Sequence, residues 1–157
     1  MYGFPIHDDD ELFGRLILEI NQAGLCWETI LKKEQNFRKA YNNFLIKTVA
    51  GYTDGDIARL MAYAGIIRNR LKINAAITNA KAIVELQKIH VSFENWLDHY
   101  HPQSKAEWVK LFKKTFTFTG SEIVGEFLMS TGYLTGAHSE DCPVFEEIEL
   151  MRPRWLE

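Results

Sequence analysis

The stretch LILEINQAGLCWETILKK, Leu16 to Lys33, decides how this chain folds. At about 100° per residue, Leu12, Phe13, Leu16, Ile17 and Ile20 fall on one apolar arc, so the segment is helical. Asp8 with Glu11 resembles a capping box that opens this helix, and Gly24 closes it. A second helix runs from about Trp27 to Phe44, with Ile30, Leu31, Phe37, Tyr41 and Phe44 as its buried set. One residue is out of place. Glu19 lies at the edge of the apolar arc rather than opposite it. A carboxylate set against a core, followed across a turn by the flat ring of Trp27, asks for a reason that packing does not supply.

Helical periodicity continues outward from this point. Thr53 or Asp54 caps a helix carrying Ile57, Leu60 and Met61, and a long helix spans about Asn69 to Lys88. Phe93, Trp96 and Leu97 mark a short helix ending before HYHP. Ser104 and Glu107 form a second capping box leading into Trp108, Leu111 and Phe112. TGSEIVGEFLMSTGYL is a last apolar helix, closed by Gly132. Only TFTFTG alternates like a strand. The tail has little periodicity, and Val144, Phe145, Ile148, Met151 and Trp155 predict that it packs on the first helix. With no repeat and no linker, residues 1–157 read as one all-α domain.

Composition agrees. The 157 residues are 46% hydrophobic, enough for one globular domain with a real core. No apolar run is long enough to span a bilayer, and MYGFPIHDDDEL is not a signal pattern. Cys26 and Cys142 are the only cysteines, which points to a reducing cytoplasm. A net charge of −3 argues weakly against nucleic acid. Its distribution argues the other way, because lysines and arginines cluster and a local basic face holds phosphates on a mildly acidic protein.

The clearest such cluster is LMAYAGIIRNRLKINAAI. It reads as a helix, a tight turn through Gly65 and a helix with cations in its first turns, where they oppose the helix dipole. Free backbone N–H groups at that N-terminus, joined by Arg68, Arg70 and Lys72, suit a phosphate. A plain helical hairpin with solvated arginines is the alternative.

Taken together, LILEINQAGLCWETILKKEQNFRKAY, LMAYAGIIRNRLKINAAITNAKA and FTFTGSEIVGEFLMSTGYLTGAHSEDCP resemble the DNA-3-methyladenine glycosylase I family of helix-hairpin-helix base-excision enzymes. The segment YGFPIHDDDELF also fits, with Tyr2 where the family usually has Trp. The resemblance implies a helical bundle containing a helix-hairpin-helix motif. It implies a monofunctional, monomeric enzyme that flips an alkylated adenine out of double-stranded DNA and hydrolyses its N-glycosidic bond without a cofactor. By resemblance Glu19 is the catalytic carboxylate that contacts the flipped base. Trp27 stacks on the base, and Gln22 and Tyr2 help to form the pocket. Gly65, Ile66, Arg68, Arg70 and Lys72 bind DNA. No lysine stands in AYAGIIRNR as a Schiff-base nucleophile, which argues against a lyase. A non-catalytic DNA-binding relative and a helical interaction protein are the other readings. Glu19 and Trp27 together favour the enzyme, and the cationic hairpin favours DNA.

The chain also departs from the family, whose members begin with a C-x-W and Y-H-D-x-E-W-G segment supplying two zinc ligands and pocket aromatics. That segment does not occur in this sequence, although His138 and Cys142 match the other half of the zinc site. Two ligands do not close a tetrahedral site, and neither Cys26 nor His7 is a persuasive replacement, so no bound metal is expected. Tyr2, Phe4 or Trp155 is left to supply the missing pocket wall.

Overall fold

A computed structural model describes residues 4–22, 27–136, 147 and 149–156, with positions 27 and 29–31 through their backbone alone. Among the described residues the helices are α1 (Asp9–Gln22), α2 (Trp27–Ala40), α3 (Ile46–Ala50), α4 (Asp54–Ala62), α5 (Arg70–His90), α6 (Phe93–Tyr100), α7 (Lys105–Thr115) and α8 (Ser121–Ser130), and there is no strand. No helix among them is long and apolar enough to cross a membrane.

Helix α1 is the axis of the bundle. Leu12, Phe13, Leu16, Ile17 and Ile20 are each no more than 1% exposed, as their spacing predicts, and α2, α5, α6 and α8 pack around them. Gly14 admits the ring of Phe44, because a Cβ at that position would lie 2.3 Å from Phe44 Cδ2. Behind α6, the rings of Phe93, Trp96, Phe112, Phe116 and Phe127 meet edge to face or tilted, with Phe93 and Phe127 stacked, and join α6, α7 and α8.

The acidic run before α1 does more than open one helix. Asp8 accepts from the Glu11 N–H at 3.0 Å and caps α1. Asp9 accepts from the Phe93 and Glu94 N–H groups at 2.8 and 3.2 Å at the start of α6, and from the Gln87 side-chain amide at 2.8 Å. Asp10 accepts from the Ile46 N–H at 3.0 Å at the start of α3. Three successive carboxylates thus cap three helix N-termini, where both hydrogen bonding and the dipole favour them.

Several expectations need correction. The Asp8–Glu11 capping box is only half formed, because the Glu11 carboxylate turns to Arg38 at 2.7 and 3.0 Å. The second helix ends at Ala40, not Phe44. Asn42, Asn43 and Phe44 take φ of 52°, 57° and 60°, a left-handed run that no α-helix tolerates. TFTFTG is a turn, because Asn79 accepts from the Thr117 N–H at 2.8 Å and donates to the Thr117 carbonyl at 3.1 Å. The described part of the tail is fastened to α6 and the end of α8. Arg154 donates to Asp98 at 2.7 Å and Glu94 at 2.8 Å, and the Trp155 N–H donates to the Gly132 carbonyl at 3.0 Å. Met151, expected against the first helix, is exposed. Val144, Phe145 and Ile148 lie outside the described residues.

Candidate active site

Glu19 sits in the last turns of α1 and is 3% exposed. Its Oε1 is buried and has no hydrogen-bond partner. Burial pushes its carboxyl up to about 7; Arg15, one turn back, opposes the shift, Glu126 on α8 adds to it, and the Ser130 hydroxyl opposes it. Gln22 lies three residues on, on the same face of α1. It is half-buried, and its Oε1 is likewise without a partner. Two buried acceptors at one helix end, both unsatisfied, call for a guest that brings donors and positive charge. Trp27 is the first residue of α2, eight positions after Glu19. The Trp27 side chain and all of Tyr2 lie outside the described residues.

Sequence reasoning did not pick out Glu126 and Ser130. The signal was available, since they are the polar pair at i, i+4 in the otherwise apolar run IVGEFLMS. The logic that singles out Glu19 on α1 applies equally to them on α8.

The turn between α4 and α5 presents Arg68 and Arg70 to solvent and leaves Lys72 half-buried, with its ammonium pKa pushed down by burial. Gly65 lies close against the Tyr63 ring, since a Cβ there would lie 2.5 Å from Tyr63 Cζ. Two features differ from expectation. Ile66 is 3% exposed and belongs to the core, so only its backbone is available to DNA. The N-terminal amides of α5 are not free, because the Asn69 side chain accepts from Leu71 and Lys72 at 3.0 and 3.2 Å. The turn thus offers solvent cationic side chains rather than the amides of Leu71 and Lys72.

A second hairpin joins α7 to α8. Thr117, Phe118 and Gly120 are exposed in its turn, and Phe118 takes a φ of 62°. Gly120 caps α8 without a side-chain bond, and Lys113 and Lys114 stand exposed one turn before.

Residues 1–110 match the family model described as methyladenine glycosylase. The chain belongs to the methyladenine glycosylase family. A DNA-3-methyladenine glycosylase of Haemophilus influenzae is 34% identical over 161 residues, spanning 90% of this chain and 86% of that protein. DNA-3-methyladenine glycosylase 1 of Escherichia coli is 33% identical over 160 residues, spanning 90% of this chain and 85% of its own length. Among solved structures, a variant of 3-methyladenine DNA glycosylase I in complex with 3-methyladenine matches with a TM-score of 0.82 at 31% identity. That match covers 90% of this chain and 86% of the other.

For a methyladenine glycosylase, a zinc site is the remaining question. His138, Cys142 and Cys26 lie outside the described residues. Among the described residues no group of three or more His, Cys, Asp or Glu could hold a metal ion.

Proposed function

We propose that Glu19 recognises the flipped base, with Trp27 stacking on it and Gln22 and Tyr2 completing the pocket, in a single-domain enzyme that acts as a monomer on duplex DNA. The chain is a 3-methyladenine DNA glycosylase of base-excision repair, the activity of its family. The observation that carries the residue assignment is the unpartnered, buried carboxylate of Glu19.

Alkylation at N3 makes adenine in DNA a cation and weakens its glycosidic bond. The enzyme therefore needs recognition and a place for water more than a strong acid. A desolvated carboxylate and an aromatic ring both prefer a cation to neutral adenine. When the C1′–N9 bond breaks, its electrons neutralise the base, and water adds at C1′ and gives up one proton to solvent. The released base is neutral and loses its attraction to Glu19, which favours its departure.

This role has a definite pH signature. The charged form of Glu19 is the working form, and its pKa in the free enzyme is about 7. Excision at low substrate should therefore rise as pH passes through 7 and then level off. Single-turnover release of 3-methyladenine from methylated duplex across pH 5.5 to 9 tests this. A rate that falls through pH 7 assigns Glu19 as a proton donor instead.

Phosphate contacts come from Arg68, Arg70 and Lys72 at the α4–α5 turn, with Gly65 and the Ile66 backbone shaping that turn. A second reading adds the α7–α8 turn, because Gly120 leaves the first amides of α8 without a side-chain cap. Arg68→Ala should weaken binding equally for damaged and undamaged duplex and lower the salt slope by about one. An unchanged slope moves the phosphate contact to the α7–α8 turn.

A further inference from the structure

Every buried residue of α5 is apolar except Asn79, which is 1% exposed. Its side-chain amide binds both backbone groups of one residue in the α7–α8 turn. The Thr117 N–H donates to Asn79 Oδ1 at 2.8 Å, and Asn79 Nδ2 donates to the Thr117 carbonyl at 3.1 Å. The Thr117 hydroxyl also donates to Oδ1, at 3.3 Å. On the far side of Phe118, the buried Thr119 hydroxyl donates to the Phe112 carbonyl at 3.2 Å. Between these two fastenings Phe118 takes a φ of 62°, a left-handed conformation that a bulky residue adopts only where its surroundings impose it. Its ring is 41% exposed, so burial does little to offset that strain.

The same helix begins at the other cationic turn. Arg70 is the first residue of α5, and Asn79 follows roughly 14 Å along the axis at the usual helical rise. Lys113 and Lys114 stand exposed in the last turn of α7, just before the turn that Asn79 holds. We propose that Asn79 is a positioning residue for duplex binding. It holds the α7–α8 turn in one conformation, at a set distance from the α4–α5 turn, so that both turns meet the phosphate backbone together. This rests on the reading in which the α7–α8 turn contacts phosphate. Asn79 itself is too buried to touch DNA. Its amide fixes the backbone at two points, and burial keeps water from competing for the same groups. Without it, the exposed turn would have to be ordered when DNA binds, and that entropy would be lost from the affinity. The contacts made once bound would be the same. Asn79 thus acts on how strongly duplex binds, not on how many phosphates are neutralised or on the chemistry at the flipped base.

The test compares the parent, Asn79→Ala and the double variant Lys113→Ala/Lys114→Ala, each held well below its melting temperature. Binding to undamaged and methylated duplex is measured across a salt series, and single-turnover excision at saturating enzyme. Asn79→Ala should weaken both duplexes by about tenfold, the scale of ordering a few turn residues. Its salt slope and its excision rate at saturation should match the parent, a split that lost stability alone does not produce. The lysine variant should instead lower the slope by about two, one for each phosphate contact removed. Parent affinity in folded Asn79→Ala overturns the proposal, as does a reduced slope or a slower saturated rate. An unchanged slope in the lysine variant overturns the underlying reading of the turn as a phosphate contact, so the two failures are distinguishable. Amide hydrogen exchange on the parent needs no variant and decides the matter if Asn79→Ala does not fold. The Thr117 amide should exchange slowly in the free chain and no more slowly with duplex added. Fast exchange that slows only on adding duplex would mean that DNA, not Asn79, orders the turn.

Discussion

The two ends of helix α1 treat carboxylates in opposite ways. At the N-terminal end, Asp9 has both oxygens occupied by the starts of α6 and the Gln87 amide. Glu11 there shares a forked pair with Arg38, which holds its carboxyl below the usual range. At the C-terminal end, Glu19 is buried with an oxygen unpaired, and burial raises its carboxyl instead. Structural carboxylates are recognised by the donors they have. A binding carboxylate is recognised by the donors it lacks, because the missing partner is the guest. A helix selected for stability alone would carry an apolar side chain at position 19.

The largest expected effect therefore belongs to Glu19→Gln. The amide keeps the shape and removes the charge, and excision of 3-methyladenine should fall by about 100-fold or more, while binding to undamaged duplex barely changes. Stability should stay level or rise. The folded-state pKa of about 7 lies above the ordinary 4.5, so the folded state holds the proton more tightly. Parent stability should fall as pH rises from 4.5 to 7, with a cost approaching about 3 kcal/mol above that window. Melting across that range should show the fall in the parent and its absence in Glu19→Gln. A variant that melts far below the parent makes Glu19 a structural residue and erases the contrast between the helix ends.

Asp9→Ala probes the opposite end. It strands the Phe93 and Glu94 N–H groups and the Gln87 amide, and should cost roughly 1–3 kcal/mol of stability. Excision per folded molecule should stay at the parent value. Loss of excision without loss of stability would show that the N-terminal end also serves the site.

The sequence revealed one end of α1 better than the other. Glu19 was legible because it breaks the local apolar arc, a signal contained within one helix. The partners of Asp9 were not, because Phe93 and Glu94 are more than eighty positions away and are brought to it by folding. Helices with regular spacing and caps, such as α7 with Ser104 and Glu107, could be read locally. The end of α2 could not, since the left-handed turn at Asn42 to Phe44 is fixed by Phe44 packing on Gly14. Ile66 shows the converse, a side chain whose burial its neighbours in sequence conceal. Its place in a basic turn suggested DNA, yet its side chain is part of the core.

The smallest effect, and the sharpest check on sign, is Glu11→Gln. The Glu11–Arg38 pair is forked but partly open, with side-chain exposures of 44% and 26%. Solvent screening limits it to about 0.5–1 kcal/mol despite its geometry. Its carboxyl is lowered from 4.5, chiefly by the hydrogen bond from Arg38, so the stabilisation is fully present above 4.5 and disappears as pH falls through the folded value. This is the reverse of Glu19, whose cost appears on going up in pH. Glu11→Gln should therefore melt slightly below the parent at pH 7 and converge with it in acid, while Glu19→Gln converges with the parent only below pH 4.5. Raising salt from 0.05 to 1 M should shrink the Glu11→Gln difference, because an exposed pair is screened, and should leave the buried Glu19 effect nearly unchanged. If both variants respond alike to pH or salt, the two ends of α1 are not electrostatically distinct, and the orphan oxygen of Glu19 loses its meaning as a binding site.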